Sequence, residues 1–283
     1  MIMSDALVFQ SDFGLVDGAV AAMYGVALEV DKDLKIFNLT HDITPYNIWE
    51  ASYRLYQSVE YWPKGTVFVS VVDPGVGSSR KSVVAKTSQG QFIVTPDNGT
   101  LTHIHKNIGI VSIREIDETR HRRQNTEFSY TFHGRDVYAN TGAKLASGKI
   151  SFEEVGPELP IEKILELPCG EVVVEEKSVS GCIDILDVRF GSLWTNVPRE
   201  DFKKIGAEFG DRIEVTIYNN AMLVYQNYIM YGHSFADVRI GEPIIYVNSL
   251  YRMAVAINQG SFAKAYNIGT GNHWKIVFRK ISD

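Results

Sequence analysis

Residues 67–80 read VFVSVVDPGVGSSR, an apolar and largely β-branched run that stops abruptly at Asp73. A short apolar run bounded by turn formers reads as a buried strand of a parallel sheet. Such a strand needs a layer of helix on either side, so this one stretch already selects a helix-covered sheet. Asp73 then stands at the strand's carboxyl end, where open α/β sheets place their ligand sites. Gly75 and Gly77 open backbone conformations denied to other residues and let a ligand come close. Taken alone, a strand followed by an Asp-Pro-Gly turn is also an ordinary connection, so the weight falls on what recurs elsewhere.

Ala6–Ser11 reads as another buried strand, ending in Ser11-Asp12-Phe13-Gly14. Val20, Met23, Tyr24, Ala27 and Leu28 recur at helical spacing after Asp17, whose carboxylate suits the positive end of a helix. Lys35–Leu39 is a strand, and Asn47-x-x-Glu50 has the spacing of a capping box opening a helix to about Tyr61. After the 67–72 strand, Ser82–Thr87 and Gln91–Thr95 form a hairpin, Pro96-Asp97-Asn98-Gly99 a turn, and Ile108–Ile113 a strand. The β-α-β-α-β alternation predicts a mostly parallel α/β sheet domain. A helix following His133 closes this half at Gly148, and the proline-bearing, acidic stretch Pro157–Pro168 reads as a linker.

Beyond it the period changes. Runs at 172–177, 181–188, 212–217, 221–226, 244–247, 252–257 and 274–279, separated by Gly and Asn turns, predict a small antiparallel barrel or sandwich. The expected domains are 1–168, α/β, and 169–283, β-barrel.

The chain has 283 residues, 45% hydrophobic and 22% charged, as in ordinary globular proteins. Its net charge of −6 speaks against a nucleic-acid partner. Arg120–Arg123 is short and flanked by acids, and reads as a solvated loop. Two cysteines, Cys169 and Cys182, without a CxxC pair fit a reducing compartment and offer no zinc framework. The start MIMSDALVFQ lacks the features of a signal peptide, and no run is long enough to span a bilayer, so a cytoplasmic location is expected.

Polar clusters fall at the predicted element ends: Asp12 with Asp17, Asp73 with Arg80, and His133 with Arg135 and Asp136. A fourth, Asp187–Asn196, lies in the second half. Each also has a structural reading. Asp12 can cap a helix, and His133 can be a hydrogen-bonded core histidine. His103 and His105 stand in HxH spacing but read as surface histidines for want of a third metal ligand. Tyr46, Trp49 and Trp194 read as packing residues unless a flat ligand reaches them. The strings DFG and HGRD suggest a protein kinase, but their order is reversed and the glycine-rich loop and its lysine are missing.

The ordered set SDFGLVDG, HDITPYNIWEA, VVDPGVGSSR, TPDNGTLT, FHGRD and RFGSLWTN resembles the S-adenosyl-L-methionine hydrolase (adenosine-forming) family. This family is also called SAM hydroxide adenosyltransferase and is related to the fluorinase and chlorinase. The likeness runs from about Leu7 to Ala265. It implies an N-terminal α/β domain and a C-terminal barrel assembled as a homotrimer, with active sites where one subunit's first domain meets a neighbour's second. It also implies a water-orienting trio of Asp73, Arg80 and His133. Asp12 is implied as the ribose ligand, and Asp17 and Asp187 as contacts of the methionine ammonium. Tyr46 and Phe190 are implied as aromatic walls. Ser192, Ser249 and Ile257 complete the implied substrate-binding set. Ser192 stands where the family carries Asn. Leu250 stands where the fluorinase has Arg, and Arg252 is a nearby cation. The halogenases have Tyr in place of Asp73, and the fluorinase a halide-binding Ser in place of Gly134. The resemblance therefore implies the water-using branch, without metal or cofactor. A non-catalytic adenosine or SAM sensor and a 5′-halogenase are the competing classes.

Overall fold

The computed structural model describes residues 6–281. The first five residues, on which the reading of the N-terminus partly rests, lie outside it. The chain divides between Leu167 and Pro168 into two compact units. Among the described residues no helix is long and apolar enough to cross a membrane.

The first unit is a sheet with helices. In chain order it contains β1 (Ala6–Ser11), α1 (Ala19–Val30), β2 (Lys35–Thr40), α2 (Ile48–Val59), β3 (Val67–Val71), β4 (Ser82–Thr87) and β5 (Phe92–Pro96). Then come α3 (Thr102–Asn107), β6 (Ile110–Glu115), α4 (Glu118–His121), a π-helical turn at Gly134–Ala139, α5 (Asn140–Ala146) and β7 (Glu158–Leu159). The strand order is β2-β1-β3-β5-β4-β6-β7. β2, β1, β3 and β5 are parallel neighbours, and the β4–β5 hairpin extends the sheet antiparallel to β6 and β7. Every residue of β1, β3 and β5 is buried, the few polar ones (Gln10, Ser11, Ser70 and Thr95) included. Leu7, Val67 and Val69 pack with Val20, Met23 and Ala143 in one core. α5 lies so close that a Cβ on Gly142 would come within 2.4 Å of Val69 Cγ2. Glycine is what lets this helix approach the strand.

Three local readings are corrected. Asn47 does cap α2, accepting from Glu50 N, but Glu50 turns its carboxylate to Thr44 N and the reciprocal half of the box is not the one expected. The stretch after Pro157 is no free linker: β7 pairs with β6, Leu165 N donates to Asp97 Oδ1 and Leu167 N to Thr102 Oγ1. His103 is a core residue, not a surface one. It is buried, with Nδ1 2.9 Å from Ser52 Oγ and its ring against Trp49, Tyr53 and Tyr56.

The second unit contains β8 (Val173–Val174), β9 (Ser178–Leu186), β10 (Leu193–Pro198), β11 (Arg212–Asn219), β12 (Met222–Tyr231), β13 (Pro243–Val247), β14 (Arg252–Ile257) and β15 (Gly271–Lys280). Seven of them run β9-β10-β14-β13-β12-β11-β15 and return to β9, a closed barrel. The pairings are antiparallel except for a short parallel contact of β12 with β13. Val179, Phe202, Val215, Tyr231, Val255, Phe262 and Phe278 fill the interior. β10, which the sequence pattern did not single out as a strand, is the piece that closes the ring.

Candidate active site

Asp12 and Asp73 leave the carboxyl ends of adjacent parallel strands, since Ser11 of β1 pairs in register with Val71 of β3. Asn98 Nδ2 donates to Val72 O at 2.9 Å and fixes the chain one residue before Asp73. Gly77, at φ +79°, turns the chain beyond it. Arg80 is thereby carried back onto Asp73. Its Nε donates to Oδ1 at 2.9 Å and Oδ2 at 3.1 Å, and its Nη2 to Oδ2 at 2.5 Å. This fork matches carboxylate geometry, and it forms where the two side chains are only 9% and 5% exposed. Burial, the largest single cause, opposes the guanidinium's charge, but Asp73, Tyr138 and Glu118 together outweigh it and raise the Arg80 pKa.

His133 stands immediately before the π-helical turn, a distortion that often accompanies functional sites. Its Nδ1 lies 2.9 Å from Arg80 Nη2, so one guanidinium spans Asp73 and His133. Arg80 Nη1 also donates to Ser82 Oγ at 3.0 Å. The buried Tyr138 hydroxyl lies 3.2 Å from the same Ser82 oxygen. Burial first, and Asp73 second, push the Tyr138 pKa up, which keeps it a hydroxyl. Burial is the largest cause lowering the His133 pKa below 6.5.

Asp73, His133, Asp12 and Tyr46 line one hollow of about 380 Å³, with Phe13, Val71, Phe132 and Gly134. Asp12 does not cap a helix; its Oδ2 accepts from Tyr46 N at 2.8 Å. Tyr46 sits at φ +67°, a conformation unusual for a non-glycine residue, and is 74% exposed rather than packed. Asp17 lies outside the hollow's lining and instead accepts from Ala19 N at the start of α1. Arg135 and Asp136 also lie outside it, paired with each other at 2.7 Å.

The barrel carries a second hollow, of about 670 Å³, lined by Asp187, Phe190, Ser192 and Ile257 together with Arg189 and Tyr246. Asp187 Oδ1 lies 3.3 Å from Arg189 N, and the backbone bonds Gly191 N to Asp187 O and Asp187 N to Ser192 O tighten the turn. Phe190 is 70% exposed. Ser249 is exposed and outside this lining, while Leu250 is buried and Arg252 Nη1 donates to Asn196 O. Trp194 is buried and donates from Nε1 to Tyr246 Oη. Among the described residues no cluster of His, Cys, Asp or Glu could hold a metal ion.

Sequence reasoning missed Ser82, Tyr138, Glu118 and Arg122 around the trio. Arg122 corrects the reading of 120–123 as a solvated loop: its side chain is 7% exposed and its Nη2 lies 2.8 Å from His133 Nε2. The available signal was the i, i+4 spacing of Glu118 and Arg122.

Comparison with known proteins places these features in a lineage. The SAM hydroxide adenosyltransferase N-terminal domain matches residues 7–156, and the C-terminal domain of the same name matches 181–275. An (R)-S-adenosyl-L-methionine hydrolase of Methanocaldococcus jannaschii is 37% identical over 201 residues, 70% of this chain and 68% of that protein. A Thermus thermophilus protein of the same name is 32% identical over 272 residues, 93% and 96% of the two chains. A fluorinase of Actinopolyspora mzabensis is 27% identical over 289 residues, 94% of each. The crystal structure of an uncharacterized conserved protein from Thermotoga maritima superposes with a TM-score of 0.88 at 32% identity, covering 97% of this chain and 100% of that one. With both halves matched in order, the chain belongs to the SAM hydroxide adenosyltransferase family.

Proposed function

We propose that this protein hydrolyses S-adenosyl-L-methionine to adenosine and L-methionine, by attack of water or hydroxide on the ribose C5′. The observation that carries the reading is the single guanidinium of Arg80 bridging Asp73 and His133 on the rim of a hollow that also holds Asp12. The sulfonium leaves as a neutral thioether, so the departing group needs neither a general acid nor a Lewis acid. The demand falls on the nucleophile, since water is a weak one with a bulk pKa near 15.7. Asp73 and His133 hold and polarise that water in line with the C5′–S bond. Alignment of this kind supplies up to roughly 7–11 kcal/mol in the best intramolecular models. Arg80 fixes the carboxylate's orientation. Asp12 accepts the ribose hydroxyls, which sets C5′ toward the water, and Tyr46 walls the ligand.

In the same reading the barrel hollow supplies Phe190, Ser192 and Ile257 to the adenine and Asp187 to the methionine ammonium, with Asp17 as a second carboxylate. Ser249 serves the substrate as well. The assembly proposed is a cytoplasmic homotrimer in which one subunit's first domain meets a neighbour's barrel. No metal and no separate cofactor enter the scheme.

The halogenase alternative is disfavoured by charge and by space. A carboxylate at position 73 repels a halide. A Cβ at Gly134 would sit 3.2 Å from both Phe13 Cε2 and Val71 Cγ1, so a halide-binding serine there requires its neighbours to move. The sensor alternative is separated by one experiment: incubate the protein with SAM and follow adenosine by chromatography. Catalytic release of adenosine and methionine in equal amounts supports the hydrolase. Binding without turnover makes the protein a sensor, and a 5′-halo-adenosine in the presence of halide makes it a halogenase.

A further inference from the structure

His133 is gripped from both sides. Arg80 Nη2 lies 2.9 Å from its Nδ1, and Arg122 Nη2 lies 2.8 Å from its Nε2. A neutral imidazole has one bare nitrogen and one N–H, whereas both groups facing it are N–H donors without acceptor capacity. A second proton on the ring would set two N–H groups against two cations. The arrangement therefore disfavours a second proton, and the neutral ring accepts from one of the two guanidinium groups, not from both.

Arg122 is itself seated with care. It follows α4, whose first residue Glu118 takes Arg122 Nη2 at 3.4 Å. Arg122 Nη1 donates to Ser129 O at 3.3 Å, and its guanidinium lies over the Tyr130 ring, 4.6 Å from the centroid. Glu118 in turn accepts from Ser82 Oγ at 3.0 Å, the hydroxyl that also meets Arg80. Arg80, Ser82, Glu118, Arg122 and His133 thus form a closed ring of polar contacts, with Asp73 joined to it through Arg80. A cation that merely solvated a loop would not be enclosed by an aromatic face, a carboxylate and a carbonyl.

We propose that Arg122, seated by Glu118, is a positioning residue for the reaction: it acts through His133, fixing the imidazole's plane and keeping it neutral beside Asp73. This rests on the hydrolase reading above and deepens it. The charged groups facing His133 are Arg80 and Arg122, which disfavour its protonation, and Glu118 and Asp73, which favour it, all on top of a burial that lowers its pKa most.

The opposed signs give a test that a merely structural role cannot mimic. In Arg122→Met a repelling cation is lost, so the His133 pKa rises. In Glu118→Gln an attracting anion is lost, so it falls. Both are read by NMR titration of the ¹⁵N-labelled imidazole, assigned against His133→Ala. Adenosine release is measured alongside. Misplacement of a catalytic group by about 1 Å lowers rate by roughly 100-fold, so Arg122→Met is expected to lose about that factor in kcat with KM for SAM little changed. Its acid limb in kcat/KM moves to higher pH. Arg122→Lys, which keeps the charge without the fork, holds the His133 pKa near the wild-type value and recovers part of kcat. The proposal is overturned if Arg122→Met keeps the wild-type kcat and pH profile, if its loss lies wholly in KM, or if the two variants move the His133 pKa in the same direction. If the wild type releases no adenosine, the hydrolase reading fails, while the two titrations still decide whether Arg122 and Glu118 control the ring.

Discussion

Replacing Asp73 with Asn changes two atoms' chemistry and almost nothing of shape. The carboxylate receives the Arg80 fork at 2.5–3.1 Å, with Arg80 9% and Asp73 5% exposed. Asparagine keeps one acceptor oxygen and turns an NH₂ group toward a guanidinium that can only donate. Removing one partner of a buried ion pair costs about 3–5 kcal/mol. The adjoining hollow admits water to the orphaned guanidinium, which places the loss of stability at the lower end, about 3 kcal/mol. For a chain of this size that is a Tm decrease of about 6–12 °C, at roughly 2–4 °C per kcal/mol. The loss in rate is larger in effect. A positioned acid–base group contributes roughly 10²–10⁴-fold, so adenosine release is expected to fall by that factor while adenosine itself, whose contacts are proposed to be Asp12 and the aromatic walls, still binds. Chromatography gives the rate, calorimetry the Tm and titration calorimetry the nucleoside affinity. Wild-type turnover in Asp73→Asn would refute the reasoning outright. Loss of turnover together with loss of adenosine binding would also refute it, since the residue would then be a structural one.

Three further outcomes are expected. His41, His121 and His133 all have pKa values lowered from 6.5, with burial the largest cause in each; the unfolded chain then binds more protons, so their stabilising contribution is complete above pH 6.5 and is lost as pH falls below it, as denaturant titrations at pH 7.5 and 5.5 would show, and kcat/KM falls over the same window as His133 gains its proton. Gly142→Ala pushes a Cβ to 2.4 Å from Val69 Cγ2 and is expected to destabilise by about 1–3 kcal/mol, the usual range for overpacking, measured by thermal unfolding. Chloride and fluoride are expected to yield no 5′-halo-adenosine from SAM, a result checked by mass spectrometry.

What the sequence disclosed, and what it hid, follows from how local each cause is. β1 and β3 are legible because strands buried on both faces are mostly apolar, and Asp12 and Asp73 mark where that pattern ends. Asn47, the cap of α2, and Asp17, which accepts from the first residue of α1, declare helix starts because such bonds act within one turn. β10 was not legible: Leu193–Pro198 reads LWTNVP, with no apolar–polar alternation, and only ring closure with β9 and β14 makes it a strand. The 157–167 stretch carries linker composition, yet its backbone finds partners on β6, Asp97 and Thr102, which are distant in the chain. Arg122 hid for the same reason. A charge next to other charges reads as solvated until the fold brings Tyr130, Glu118 and His133 around it. The trio itself was named through family likeness, and its geometry, with Arg80 as the bridge, is a fact of the tertiary structure alone.

The central claim is that a water oxygen, held by Asp73 and His133, becomes the 5′-oxygen of the product. Turnover of SAM in H₂¹⁸O, with the adenosine analysed by mass spectrometry, measures this directly. The account predicts one ¹⁸O atom at the 5′ position of every adenosine formed and none in the methionine. Adenosine that carries only ¹⁶O, or label that appears in the methionine instead, would contradict it.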